Sequence, residues 1–138
     1  MEKATIVVHS GDLDKLMSAL IIGNGFLAMG GSVTLYFTFW GLQRLVKGKL
    51  SRAPLSRMNF LGLGAWMMKR KMKKAGVATP ERLMADFKAL GGHVIACEMT
   101  MEVMGISRKD LDESLIDEYG AVGMYVNEAK RSQVTLFI

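Results

Sequence analysis

Cys97 is the one cysteine among 138 residues, and it stands where a thiol can be put to chemical use. It follows the strand-like run His93-Val94-Ile95-Ala96. It precedes a helix-like segment, Glu98-Met99-Thr100-Met101-Glu102-Val103-Met104, that Gly105 ends. A thiol at such a junction meets the positive end of the helix dipole and its free backbone N–H groups, and both favour the thiolate. A thiolate can attack a sulfane sulfur, hold it as a persulfide and pass it to another thiol. No second cysteine is present, so no internal resolving disulfide can form. This favours carrying or transferring a group over dithiol oxidoreduction. The competing reading is packing, because free cysteine is among the most buried residue types. Glu98 and Glu102 flank the thiol, and negative charge directed at the sulfur would raise its pKa.

The other candidates are weaker. Met99, Met101 and Met104 can surround sulfur chemistry, and equally can serve as flexible core filler. His9 can stabilise a thiolate if its loop lies beside Cys97; otherwise it is a loop histidine bonded to backbone. Ser10-Gly11 ahead of a helix can take a small anion, yet Ser-Gly-Asp is also an ordinary turn and cap. His93 opens a strand on the surface. Neither G-x-G-x-x-G nor G-x-x-x-x-G-K-[ST] occurs, so no nucleotide-binding fingerprint is present. A single cysteine and two histidines exclude a disulfide scaffold and argue against a zinc site. No cofactor is expected.

The elements that position these residues follow from pattern. Thr5 to Val8 and Val33 to Phe39 read as strands, and their lack of polar alternation fits a parallel sheet covered on both faces. Asp12 or Ser10 caps a helix from about Leu13 to Met29. Gly41 to Met58 reads as a short helix and a loop around Pro54, and Asn59 to Ala75 as a helix that Gly76 stops. Thr79-Pro80-Glu81 starts another helix, which Gly91-Gly92 ends. Val94 to Ala96 is the third strand. Ser107 to Asp110 resembles a capping box opening a helix with Leu111, Leu115 and Ile116 on one face, stopped at Gly120. Val122 to Lys130 is a last helix, and Val134 to Ile138 a last strand. Strands alternating with helices imply right-handed crossovers and a mostly parallel sheet of about four or five strands. Ligands in such folds bind beyond the carboxyl ends of the strands. His9-Ser10-Gly11, Trp40-Gly41 and Cys97 all lie just after strands, so they can share one rim.

The chain is expected to form a single domain over residues 1–138. Leu16 to Gln43 carries no charge and is long enough to span a membrane. Asn24, the Gly30-Gly31 turn signal and the β-branched and aromatic run after it favour a buried helix, a turn and a buried strand. The net charge of +5 is concentrated: Arg44 to Lys74 holds ten basic and no acidic residues. That patch, beside Phe60 and Trp66, suits docking to a protein or an anionic membrane surface. Nucleic acid is not favoured, since one short basic patch comes with no binding motif.

Several segments resemble the DsrE/DsrF-like family of small sulfur-handling proteins, and most closely its variant subgroup with an insertion after the second strand. They are Ser10-Gly11-Asp12-Leu13-Asp14-Lys15, Phe37-Thr38-Phe39-Trp40-Gly41-Leu42, the stretch from Ile95 through Cys97-Glu98-Met99-Thr100-Met101 to Ile106, and Val134 to Ile138. The resemblance implies a flavodoxin-like three-layer α/β sandwich with helices on both faces of the sheet. It implies assembly into homo-oligomers, commonly trimers or hexamers, and a cysteine that accepts sulfur in relay between cytoplasmic donor and acceptor proteins. That role falls on Cys97. Members of the subgroup are often labelled peroxiredoxin-like, but no residue here supports peroxidase chemistry. Some relatives carry a further cysteine near the first strand, where this chain has His9.

The expectation is therefore a cytoplasmic sulfur carrier or sulfurtransferase component with Cys97 as the sulfur-bearing residue. His9, Ser10, Gly11, Trp40, Met99 and Met101 are its candidate pocket neighbours, and a basic, apolar insert at about 44–76 docks a partner. The alternative is a non-enzymatic binding module with an inert, buried Cys97 and an insert that holds a protein or an anionic membrane surface, which would place the chain at a membrane.

Overall fold

In the computed structural model, which describes all 138 residues, the strands are β1 (Lys3–Val8), β2 (Ser32–Phe37), β3 (His93–Cys97), β4 (Glu118–Gly120) and β5 (Val134–Phe137). All pairings are parallel, in the spatial order β4-β3-β2-β1-β5. The helices are α1 (Leu13–Ala28), α2 (Phe39–Leu42), α3 (Leu63–Lys74), α4 (Pro80–Ala89), α5 (Glu98–Met104) and α6 (Val122–Lys130). The first three crossovers step across the sheet in one direction, and the last steps back over β1. Right-handed crossovers then put α1, α4 and α5 on one face and α6 alone on the other. The result is a flavodoxin-like three-layer sandwich.

Side-chain alternation divides the sheet between two cores. Ile6, Val8, Leu35, Phe37, Val94 and Ala96 face the larger layer, against Leu16, Ala19 and Leu20 of α1 and Met84 and Phe87 of α4. Val7, Tyr36, Ile95 and Cys97 face the thinner one, against Met124 and Tyr125 of α6. Register sets the carboxyl ends level: Val8 pairs with Phe37, Phe37 with Ala96, and Cys97 with Gly120.

Several expectations change. The helix expected from Ser107 to Gly120 does not form. Two 3-10 turns, Arg108–Asp110 and Glu113–Leu115, lead instead into β4. The Asp110 carboxylate accepts from the Ser107 N–H and hydroxyl, and Asp112 accepts from the Ser114 N–H, so two local caps follow within five residues. Between them Leu111 is fully buried and bridges Val46 in antiparallel fashion, while the Asp112 N–H reaches the Leu45 carbonyl. The apolar spacing that reads as a helix serves an extended strap. The helix expected from Asn59 begins only at Leu63, because Leu61 takes a left-handed conformation at φ 50°. β2 ends two residues early, where Phe39 turns into α2 at φ 46°. No helix is long and apolar enough to cross a membrane. As expected, the uncharged stretch from Leu16 runs through α1, a turn and β2, with the Asn24 amide bonded to the Leu83 carbonyl of α4.

Phe87 is fully buried, with its ring edge against Gly23 and Gly92. Phe87→Ala should lower stability by about 3–5 kcal/mol, the usual cost of an emptied aromatic site. Denaturant unfolding checks this, and a loss below about 1 kcal/mol would mean that this contact does not hold α4 to α1.

Candidate functional site

Cys97 closes β3 and is the residue ahead of α5, with only 2% of its surface exposed. Burial alone pushes a thiol pKa up, yet here the pKa falls below its ordinary value. The Thr100 hydroxyl, the Tyr36 phenol, the Thr100 backbone N–H and the Thr38 hydroxyl outweigh the desolvation. The Thr100 N–H does not close a full cap hydrogen bond to the side chain; the donors act together as dipoles that favour the anion. Tyr36 has its own pKa raised, first by burial and then by the neighbouring Cys97 sulfur, so its proton stays in place to face the thiol. Its ring lies 5.4 Å from that of Tyr125 on α6.

The donors are cross-braced. Thr100 Oγ1 accepts the Phe39 N–H at 3.0 Å and shares a buried 3.0 Å hydrogen bond with Thr38 Oγ1. The end of β2 and the first turn of α5 are thereby joined beside the sulfur. Glu98 and Glu102 are exposed on α5, where water screens their charge. Met101 is buried in the larger core, while Met99 is about half exposed at the rim.

The loops after β1 and β2 meet at the same rim. The Gly41 N–H donates to the His9 carbonyl at 2.9 Å. A Cβ at Gly41 would stand 2.1 Å from the Val8 carbonyl oxygen, and one at Gly11 would stand 2.6 Å from that of Trp40, so both positions need glycine for close backbone approach. The His9 ring lies 5.1 Å from Phe39 and 5.2 Å from Phe137, an aromatic row along the sheet end. His9, Ser10, Gly11 and Trp40 therefore come together, and the row reaches the Cys97 network through Phe39. The Ser10 hydroxyl is engaged with Asp12, in the turn that starts α1. A cavity of about 160 Å³ opens here between Ser10, Gly11, Asp12, Trp40, Gln43, Arg44 and Pro54. No three His, Cys, Asp or Glu side chains are grouped to hold a metal ion.

Tyr36, Thr38 and Thr100 are the functional candidates that the sequence reading misses. The signal for the first two is the period-two hydroxyl row Thr34, Tyr36, Thr38 within an otherwise apolar run, which puts Thr34 and Tyr36 on one face of β2 and Thr38 just past its end. Thr100 on α5 carries no such signal.

A family model described as the DsrE/DsrF/DrsH-like family matches residues 1–53 and 43–137. An uncharacterized protein of Bacillus subtilis, YrkE, is 36% identical over 157 aligned positions, covering 99% of this chain and 97% of that protein. The sulfur carrier protein DsrE2 of Allochromatium vinosum is 28% identical over 158 positions, covering 99% of this chain and 98% of that one. Two solved structures share the fold over the full length of both chains. One is MTH1491, a protein of unknown function from Methanobacterium thermoautotrophicum, at TM-score 0.65 and 12% identity. The other is the ychN protein of E. coli, at TM-score 0.63 and 15% identity.

The thiol environment yields a direct test. Tyr36→Phe keeps the ring and removes the donor, so the midpoint of the pH profile for Cys97 alkylation should move up. At a pH below the midpoint the rate should fall roughly tenfold, the equivalent of one charge-assisted hydrogen bond. Thr100→Val should act in the same direction and Thr100→Ser should restore the profile. A profile unmoved by Tyr36→Phe would remove the phenol from the site.

Proposed function

Because this chain belongs to the DsrE/DsrF/DrsH-like family, we propose that it is a sulfur carrier holding persulfide sulfur on Cys97. The observation that carries this reading is the placement of the thiol at the end of β3, ahead of α5 and beside the bonded Thr38–Thr100 pair and Tyr36, surroundings that favour its anion despite burial. The relative named as a sulfur carrier, matched along almost its whole length, supports a sulfur-relay role. In the loading step the Cys97 thiolate attacks the terminal sulfur of a donor persulfide. The Cys97 S–S bond forms, the donor's S–S bond breaks, and the donor leaves as a thiolate. In the unloading step an acceptor thiolate attacks the terminal sulfur and Cys97 leaves as the thiolate. Neither step has net oxidation, so neither needs a second cysteine or a redox cofactor.

Each residue of the site has a part in this scheme. Tyr36, Thr38 and Thr100 stabilise the sulfur anion whenever Cys97 attacks or leaves. His9, Ser10, Gly11 and Trp40 build the adjacent rim. The half-exposed Trp40 and Met99, with the exposed Phe137 farther along the same sheet end, give donor and acceptor proteins an apolar surface. A free thiol with this duty belongs in a reducing compartment such as the cytoplasm.

The near-complete burial of Cys97 favours a second reading, in which the thiol is packing and the chain is a binding module. One experiment separates the two. After incubation with a sulfane-sulfur donor, intact mass should show whole sulfur atoms added to the native protein, removed by reductant and mapped to Cys97. Cys97→Ser should abolish the gain with the fold unchanged by circular dichroism. A thiol that neither loads nor reacts until the protein is unfolded would establish the packing reading instead.

A further inference from the structure

Apart from Met1 and the lone Met29, the most exposed apolar side chains of the molecule are not at the thiol rim. They lie between β2 and β3, where Met58 is 90%, Phe60 78% and Leu61 92% exposed, followed by the half-exposed Leu63, Trp66 and Met67. This knuckle is built. Met58 and Leu61 both hold left-handed backbone, at φ 59° and 50°, which side-chain-bearing residues seldom adopt. Asn59 Oδ1 accepts the Ala65 N–H at 3.1 Å, and a Cβ on Gly64 would stand 2.0 Å from the Met58 carbonyl oxygen. The turn is thus clamped onto the first turn of α3 while its large side chains point into solvent. α3 is seated from its other side: Ala65 is buried, and Met72 packs on Leu13, Met17 and Ala53.

Charge completes the pattern. Arg57 precedes the knuckle, and Lys69, Arg70, Lys71, Lys73 and Lys74 follow it in α3, within a stretch of 31 residues that contains no acidic side chain. The Arg70 guanidinium lies over the Trp66 ring at 5.6 Å. An apolar, tryptophan-bearing tip beside a lysine-rich turn combines the two attractions that hold interfacial segments on anionic membranes, apolar burial and charge. The tip enters the headgroup–acyl boundary while the cations meet anionic headgroups and their stems cover apolar surface. Protein interfaces are depleted in lysine, whereas this surface is lysine-rich.

We propose that the segment 57–74 docks the protein onto anionic lipid bilayers, with Met58, Phe60, Leu61 and Trp66 entering the interface and the basic residues of α3 contacting headgroup phosphates. The docking is independent of sulfur loading, since the surface shares no residue with the Cys97 site.

The test is co-sedimentation of the full-length protein with vesicles of phosphatidylcholine, with and without phosphatidylglycerol. Affinity should be roughly tenfold or more higher with phosphatidylglycerol, and should fall steeply with added salt. Phe60→Ser/Leu61→Ser and Lys71→Gln/Lys73→Gln/Lys74→Gln should each weaken binding at least about tenfold, with circular dichroism unchanged, because these side chains hold no part of the core. Cys97→Ser should bind as the unaltered chain does. No binding to phosphatidylglycerol vesicles at low salt would overturn the proposal, as would binding that both multiple variants retain. A fall in oligomeric mass in Phe60→Ser/Leu61→Ser, read by sedimentation equilibrium without any vesicle binding, would overturn it in favour of a second copy of this chain.

Discussion

One hydroxyl, that of Thr100, holds the site together. It accepts the Phe39 N–H, pairs with the Thr38 hydroxyl and supports the sulfur of Cys97. A hydroxyl has one proton and two lone pairs, so its roles must be shared out. With Phe39 donating to it, Thr100 can give its own proton to the sulfur and still accept from Thr38. Thr38 can alternatively turn its proton to the sulfur. A neutral thiol leaves these choices nearly equal in energy. A thiolate does not, because two protons aimed at the anion are worth more than one hydroxyl pair. The network is therefore a reserve of donors that responds to charge, which a buried sulfur needs in order to ionise away from water.

The topology explains why so small a network suffices. Three crossovers cover one face of the sheet, and α6 alone covers the other. The thinner face changes character along its length. At the amino ends of the strands it is polar: Lys3 pairs with Glu128, Thr34 donates to Glu128, Thr5 bonds Ser132, and His93 meets Glu118. At the carboxyl ends it is a small dry cluster of Val7, Tyr36, Ile95 and Cys97 under Met124 and Tyr125. The full charges sit at one end and the thiol at the other. Carboxylates that would oppose the thiolate are taken up by Lys3, Lys88 and His93, and the sulfur is left with neutral dipoles.

How much of this could be read in the sequence depends on whether the cause was local. Thr79 ahead of Pro80 caps α4 as expected, because a cap needs only its next three residues. Cys97 falls at the strand-to-helix junction for the same reason. The family motifs Phe37 to Leu42 and Ile95 to Ile106 carried the fold beyond what periodicity gives. The 107–120 strap could not be read, since its helical spacing loses to a distant pairing with Leu45 and Val46. Tyr36 and Thr38 stand about 60 positions from Cys97, and only register brings them beside it. His9 is the thiol neighbour that the sequence offers, and its ring is held in an aromatic row. The three hydroxyls that do face the sulfur looked like unremarkable strand and helix residues.

In the proposed carrier role a sulfur that is 2% exposed must be reached by its donor, and the backbone beside it supplies a reason that the cost is small. Phe39 adopts φ 46°, a conformation that costs a residue with a side chain about 1–2 kcal/mol. Two contacts hold it there: its N–H bond to Thr100 and its ring against His9. The same residue thus joins the donor network on one side to the exposed aromatic rim on the other. Relaxing Phe39 to ordinary backbone returns that strain, which offsets part of the cost of breaking its hydrogen bond. A partner that draws the rim side chains Phe39, Trp40 and Phe137 into its own surface removes the second contact. Opening is then cheapest when an apolar partner is already in place, and in the proposed carrier role this would keep a persulfide on Cys97 out of water until a thiol arrives to receive it.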